Sequence, residues 1–401
     1  MTNSIKYPII FSGGDINAIY NDDLDASKDK NFKNSINSKE IKEDSENTND
    51  KDDHFKKNCK GFKHIPHILP AKKRIIAIGD LHGDYDLTIE CLKLANVVDE
   101  ELNWIADPPE TIVVQIGDQI DRCRPVVGKK CDDPNTTLND EGRDIDVLEL
   151  FNDLNNKATK KGGMVISLLG NHEIMNVQGN MNYVSYKGLE QFKDEINPET
   201  GKKFKSGKEA RKYLFKRGNK YSKLMACTRQ TAIIIGSNLF VHAAIMPKLA
   251  KKFNVKDLNI LIRKWLLKEL SSSKEINGIG KLHDILVNYE LSPFWPRILG
   301  SLPPDLSIDN EKCIEFLKES LEIYKCNNMI IGHTPQFYSN KTGISNTCTG
   351  VNEQNEKNMG VWRIDTGSSK AFDTFSSEEL SEPRKPSVLE ILNDNEFNII
   401  S

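Results

Sequence analysis

The chain has 401 residues, of which 38% are hydrophobic and 28% charged, yet its formal net charge is only −3. That length accommodates two or three average domains, or one large catalytic domain with an appended tail. So balanced a charge gives no whole-molecule field to draw in nucleic acid or an acidic membrane, and neither is expected as a partner.

From the N-terminus, residues 1–70 read as a tail. The run Tyr7-Pro8-Ile9-Ile10-Phe11 is shorter than the roughly 7–15 apolar residues of a secretory core. Tyr7–Tyr20 has some strand character, enough to dock on a domain. Asn21–Lys57 alternates Asp, Glu, Lys, Asn and Ser with almost no apolar residue, and is expected to be disordered because it cannot offset its ordering entropy. Beyond Pro66 and Pro70 the character changes, and residues 71–400 read as one catalytic domain.

Short β-branched runs follow at Arg74–Ile78, Thr111–Ile116, Met164–Leu169, Ala232–Val241 and Met329–Ile331, each of strand length. Ala232–Val241 is long enough for two strands around Gly236-Ser237. Helical spacing separates them over Leu87–Ala95, Ile145–Thr159, Leu258–Leu270 and Glu311–Lys325. This alternation predicts an α/β core. A polar, Lys- and Gly-rich insertion at about 177–228 is expected to be helical, and late strands are expected at Gly360–Ile364 and Pro386–Ile391. The longest apolar stretch, Thr231–Met246, is broken by Ser237, Asn238 and His242 and falls short of the roughly 20 residues that span a bilayer. A soluble, cytoplasmic protein is expected. Cys59, Cys91, Cys123, Cys131, Cys227, Cys313, Cys326 and Cys348 form no Cys-x-x-Cys pair, which removes a zinc ribbon or thioredoxin-like motif. Scattered as they are, they are expected to stay reduced.

The chemistry lies where the strands end. Arg74–Ile78 runs into Gly79-Asp80-Leu81-His82-Gly83-Asp84, and Thr111–Ile116 into Gly117-Asp118-Gln119-Ile120-Asp121-Arg122. Met164–Leu169 runs into Gly170-Asn171-His172-Glu173, Ala232–Val241 into His242, and Met329–Ile331 into Gly332-His333-Thr334. Ligands of open α/β sheets bind outside the carboxyl ends of strands, so these side chains are expected to converge. The glycines before each polar residue are expected to supply unusual dihedrals for tight turns. Any one piece has a structural alternative: Gly-Asn-His-Glu can cap a helix, and a lone His242 or His333 is more often a core histidine. The ordered set is what carries the inference.

Asp80, His82, Asp118, Asn171, His242 and His333 offer carboxylate, amide and imidazole without thiolate, which suits two divalent ions such as Mn²⁺, Fe or Zn²⁺ better than Ca²⁺. Two such ions roughly 3.5–4 Å apart can hold a bridging hydroxide and clamp phosphoryl oxygens. Hydrolysis then needs no protein nucleophile, and no His-Cys-x₅-Arg loop exists for a cysteine-dependent phosphatase.

The ordered motifs resemble those of calcineurin-like metallophosphoesterases of the phosphoprotein phosphatase type. Gly170–Val184, Phe240–Pro247, Gly332–Gln336 and Val361–Phe372 are similar, more narrowly, to Shewanella-like protein phosphatases. The resemblance implies a metallophosphoesterase β-sandwich of mixed sheets flanked by helices. It implies a phosphomonoesterase acting on phosphoserine, phosphothreonine or phosphotyrosine in proteins. By that resemblance Asp80, His82 and Asp118 hold one metal, while bridging Asp118, Asn171, His242 and His333 hold the other. His172 is the general acid, paired with Asp121. Arg122, Arg297 and Asn171 meet the substrate phosphate, and Asp365 and Gly367 are structural. Cys123 and Ala243 stand where the family usually has glycine; a thiol at Cys123 would make the site oxidation-sensitive. The competing readings are a small-molecule phosphoesterase, such as a dinucleoside polyphosphatase, and a binding scaffold with a decayed site.

Overall fold

The computed structural model describes residues 52–126, 128–276, 278–338, 343–351, 358–373 and 384–401, all within the compact unit Asp50–Ser401. The expectations for Tyr7–Tyr20 and for most of Asn21–Lys57 lie outside the described residues. In chain order the strands are β1 (Ile68–Leu69), β2 (Arg74–Ile78), β3 (Ile112–Gln115), β4 (Met164–Leu168), β5 (Arg229–Gln230), β6 (Ala232–Ile235), β7 (Asn238–Val241), β8 (Glu275–Ile276), β9 (Gly280–Lys281), β10 (Asn328–Ile331), β11 (Ser345–Val351), β12 (Asn358–Arg363), β13 (Val388–Leu392) and β14 (Glu396–Ile400). Apart from the β8–β9 hairpin they form two six-stranded sheets, ordered β1-β6-β7-β10-β12-β11 and β14-β13-β2-β3-β4-β5. Each sheet is mixed. β2, β3, β4 and β5 run parallel, with β13 antiparallel beside β2, and β7, β10 and β12 run parallel in the other sheet.

Side chains alternate faces along a strand, and that alternation sorts the core. Ile75, Ala77, Ile112, Val114, Ile116, Ile166 and Leu168 point inward to meet Ile233, Ile235, Phe240 and Ile330 of the opposite sheet. Their neighbours Ile76, Ile78, Val113 and Val165 point outward, under Leu92 and Phe151. Those two belong to α1 (Tyr85–Leu94) and α2 (Asp144–Thr159), the helices that cross over between parallel strands. Facing both ways into apolar surroundings is why these strands read as unbroken apolar runs. Each fully buried aliphatic side chain contributes about 1.5–3 kcal/mol.

The insertion carries the helices Tyr186–Glu190, Gly207–Phe215 and Lys220–Thr228. The helix expected over Glu311–Lys325 is interrupted by a π turn at Ile314–Lys318.

Two expectations are corrected. Residues 52–57, placed in the disordered stretch, are ordered: the helix Asp53–Asn58 begins on Asp52, whose side chain accepts from the Phe55 amide at 2.8 Å. The average polarity of that stretch hid two apolar anchors, since Phe55 and Cys59 pack with Cys227. Six cysteines are paired rather than reduced, as Cys59–Cys227, Cys123–Cys131 and Cys313–Cys348, with Cα–Cα distances of 5.3, 5.8 and 5.5 Å. Partners 168 residues apart, as in the first pair, meet only through tertiary packing, so spacing could not show them. Cys91 and Cys326 remain free and buried. Cys123 is therefore half of a disulfide and not the oxidisable thiol expected.

Candidate dinuclear metal centre

The parallel strands bring their carboxyl ends to one rim. β2 delivers Asp80 and His82, β3 delivers Asp118 and Asp121, β4 delivers Asn171 and His172, β7 delivers His242, and β10 delivers His333. Glycine is required here mainly for close approach. A Cβ on Gly332 would lie 2.2 Å from Asp80 Oδ1, and one on Gly170 would lie 2.2 Å from Asp118 Oδ1. Of the four strand-end glycines, only Gly117 has a positive φ, at 100°. The unusual dihedrals fall instead on the residues expected to carry the chemistry: φ is 49° at His82, 52° at Asp118, 77° at Asp121 and 65° at His333.

The imidazoles are oriented by backbone carbonyls. His82 Nδ1 lies 3.3 Å from Ile120 O, His242 Nδ1 lies 3.0 Å from Ile116 O, and His333 Nε2 lies 3.2 Å from Trp295 O. Each ring thus spends its N–H outward and turns a lone pair inward, the tautomer a metal ligand needs. His242 Nε2 and His333 Nδ1 then sit 3.0 and 2.9 Å from Asn171 Oδ1. Asp118 Oδ2 lies 3.4 Å from His242 Nε2 and 3.9 Å from His82 Nε2, and Asp80 Oδ2 lies 4.0 Å from His82 Nε2. Apart from His82 Nε2, which takes Arg124 NH2 at 2.7 Å, these are acceptors facing acceptors, which repel one another unless a cation lies between them. The donor set fits divalent ions: His82, Asp118 and His172 form one group with ligand-like spacing and Asp118, His242 and His333 another, with Asp118 common to both.

The electrostatics agree. Burial, joined by the Asp365 and Asp118 charges, holds Asp80 well above the usual carboxylate range. Burial would raise Asp118 too, but the flanking His242 and His172 hold it well below. Burial would lower His242, and Asp118 overcomes it and raises the ring. Burial and the Arg297 charge keep His333 low. A site that drives its own imidazole toward protonation is a site that attracts positive charge. Asp365, assigned to structure from the sequence, also belongs to this cluster. Burial pushes it up to about 6, and its Oδ2 has no hydrogen-bond partner. Its Oδ1 accepts from the Gly367 amide at 2.9 Å, where φ is 64°.

Around the cradle, His172 Nδ1 lies 2.8 Å from Asp121 Oδ2, which leaves Nε2 turned to Asp118, 3.8 Å away. Arg211, from the insertion, lies 3.2 Å from Asp121 and 2.7 Å from Asp144 and is fully buried. Glu173 accepts from the amides of Gly170, Asp118 and Gln119 at 2.6, 2.9 and 2.9 Å, tying the β3 and β4 ends together. Neither Arg211 nor Glu173 was assigned a role from the sequence. Glu173 stood in the quoted Gly-Asn-His-Glu motif, whereas nothing local marks Arg211. Arg122 lies fully buried, with NH2 on Asn139 O at 3.2 Å and with Nε and NH1 unpartnered. Arg297 acts on His333, Asp365 and Tyr183. Aromatic rings border the site: Tyr183 lies 5.1 Å from His172, Phe372 5.5 Å from His82, and Trp295 6.1 Å from His333, with Tyr289 against Trp295.

A second His/Asp group, Asp52, His64 and His67, has ligand-like spacing but the wrong protons. Asn259 Oδ1 accepts from the Thr231 and Ala232 amides, so its Nδ2 donates to His67 Nδ1 at 3.0 Å. His67 Nε2 then carries the hydrogen, 3.3 Å from Asp52 Oδ2. Arg263 already neutralises that carboxylate. This group is a buried ion-pair latch.

Two mixed sheets with a carboxylate–amide–imidazole cradle at their strand ends define a metal-dependent phosphoesterase. The profile of the family described as calcineurin-like phosphoesterase matches residues 73–337, and the chain belongs to that family. It is 39% identical over 261 residues to an uncharacterized protein of Acanthamoeba polyphaga mimivirus, covering 63% of this chain and 97% of the relative. It is 26% identical to Shewanella-like protein phosphatase 2 of Arabidopsis thaliana, covering 82% and 78%. Its fold matches that of a solved cold-active protein tyrosine phosphatase with a TM-score of 0.53 at 19% identity, covering 84% and 80%. The chain is thus a metal-dependent phosphatase of the hydrolase class. Among the described residues no helix is long and apolar enough to cross a membrane.

Proposed function

We propose that the chain hydrolyses phosphomonoesters on proteins, with Asp80, His82 and Asp118 holding one divalent ion and Asp118, Asn171, His242 and His333 the other. The observation that carries this reading is the meeting of His242 Nε2, His333 Nδ1 and Asn171 Oδ1 at 2.9–3.0 Å with the ring protons spent elsewhere. Two such ions supply Lewis acidity and a water activated near neutral pH. With Nδ1–H given to Asp121, His172 as the imidazolium turns its second proton, on Nε2, toward the site and hands it to the leaving oxygen. Arg122, with two unpartnered guanidinium nitrogens, and Arg297 supply positive charge to the phosphoryl oxygens. The nitrogen–oxygen donor set suits Mn²⁺, with Fe or Zn²⁺ as alternatives. The rings of Tyr183, Phe372, Trp295 and Tyr289 favour an aryl phosphate, and hence phosphotyrosine, over an aliphatic phosphoserine. The names of the Arabidopsis relative and of the cold-active tyrosine phosphatase are in keeping with a protein substrate. Three disulfides are the habit of an oxidising compartment, which weighs against a cytoplasmic location.

The test is para-nitrophenyl phosphate turnover with Mn²⁺, with and without chelator, followed by phosphotyrosine peptides, phosphoserine peptides and dinucleoside polyphosphates. Chelator-sensitive turnover with peptides preferred is the expected result. Preference for the dinucleotides overturns the protein substrate, and no turnover of any of them leaves a binding scaffold.

A further inference from the structure

One guanidinium at the rim was marked by no motif. Arg124 NH2 lies 2.7 Å from His82 Nε2. Its NH1 donates to Asp121 O at 3.2 Å and to Cys123 O at 2.9 Å. The guanidinium carbon lies 4.5 Å from the centre of the Phe372 ring and 5.7 Å from that of Tyr183. Those are the rings that edge onto His82 and His172. The Cys123–Cys131 bond closes the loop on which Arg124 stands. One nitrogen therefore fastens the group to its own loop, two rings fix its plane, and the other nitrogen is turned to the ligands.

We propose that Arg124 is a phosphate-binding residue of this site, whose guanidinium, held between Phe372 and Tyr183, takes the outer oxygens of the substrate's phosphoryl group. The inference rests on the phosphatase reading above. A guanidinium fork matches phosphoryl oxygens two at a time, which an ammonium cannot do. Fixing it beforehand between rings lowers the entropy lost on binding. Position separates it from Arg122: that side chain is fully buried, whereas Arg124 is only half-buried. No carboxylate is within ion-pair distance of it among the described residues, and what it does touch is the rim of the site.

The experiment compares the full-length chain with Arg124→Gln and Arg124→Lys, each loaded with Mn²⁺. Three quantities are read: inorganic phosphate Kd by calorimetry, bound Mn²⁺ by elemental analysis, and KM with kcat for para-nitrophenyl phosphate. Arg124→Gln is expected to weaken phosphate and raise KM together, by about ten- to a hundredfold, at wild-type Mn²⁺ content and melting temperature. Arg124→Lys is expected to fall between, because it restores charge without the fork. A phosphate Kd for either variant equal to wild type overturns the role of Arg124 while leaving the phosphatase reading intact. A wild-type chain that binds neither Mn²⁺ nor phosphate overturns the reading and this inference with it.

Discussion

Asp121 holds His172 with one oxygen, 2.8 Å from Nδ1, while its other oxygen takes Asn176 at 2.8 Å and Arg211 at 3.2 Å. The carboxylate is saturated, so it cannot turn away from the imidazole. His172→Asn is expected to lower kcat by about 10²–10⁴ while keeping bound metal. Asp121→Asn, which frees the ring, is expected to lower kcat by about 10-fold or more, with metal again retained. Elemental analysis finding either variant empty of metal would contradict these roles.

Arg211 separates Asp121 from Asp144 in a fully buried position. Arg211→Met leaves two buried carboxylates facing each other, and a loss of about 3–5 kcal/mol is expected. Urea unfolding reads it, and an unchanged midpoint would mean the triad is solvated.

Asp118 is common to the two groups with ligand-like spacing, His82–Asp118–His172 and Asp118–His242–His333. Asp118→Asn is expected to lose Mn²⁺. Saturating Mn²⁺ at about 100 times Kd should stabilise the wild type by about 2.7 kcal/mol and leave the variant's melting temperature unmoved. Equal metal-dependent shifts in both proteins would refute the ligand assignment.

The latch around Asp52 makes stability depend on pH. Burial would raise Asp52, but His64, His67 and Arg263 together hold it far below the usual carboxylate range. A depressed folded-state pKa means the added stability is complete above the unfolded value of about 3.9 and is lost as pH falls through the folded value. Asp52→Asn is expected to cost about 3 kcal/mol from pH 8 to about 5, with the gap to wild type narrowing below about pH 4. A gap that instead narrows between pH 6 and 8 would place the histidines, not Asp52, in control.

The Cys59–Cys227 bond fastens the same segment across 168 residues of chain. Cys59→Ser is expected to lower stability by about 2–5 kcal/mol. Reductant should bring the wild type toward the variant in denaturant melts, and no difference between them would show that the latch suffices alone.

The convergence of Asp80, Asp118, Asn171, His242 and His333 was legible because each follows an apolar run, consecutive with a strand, that a local window detects. What was not legible depends on distant pairing. β1 and β5 are two-residue strands that exist only because β6 and β4 lie beside them. Phe55 and Cys59 are anchors only in the presence of Cys227. Arg211 stands 90 residues from Asp121, in an insertion whose composition reads as surface. Arg124 sits two residues past a motif and matters through where its loop points.

The left-handed backbone at His82, Asp118, Asp121 and His333 sets catalysis against robustness. Side chains other than glycine resist that region at a cost of order 1 kcal/mol each, so replacing Asp118 or His333 with glycine should relax the main chain while destroying the centre. Laboratory selection for heat resistance alone, with activity unmonitored, would drift toward inert descendants at these four codons first.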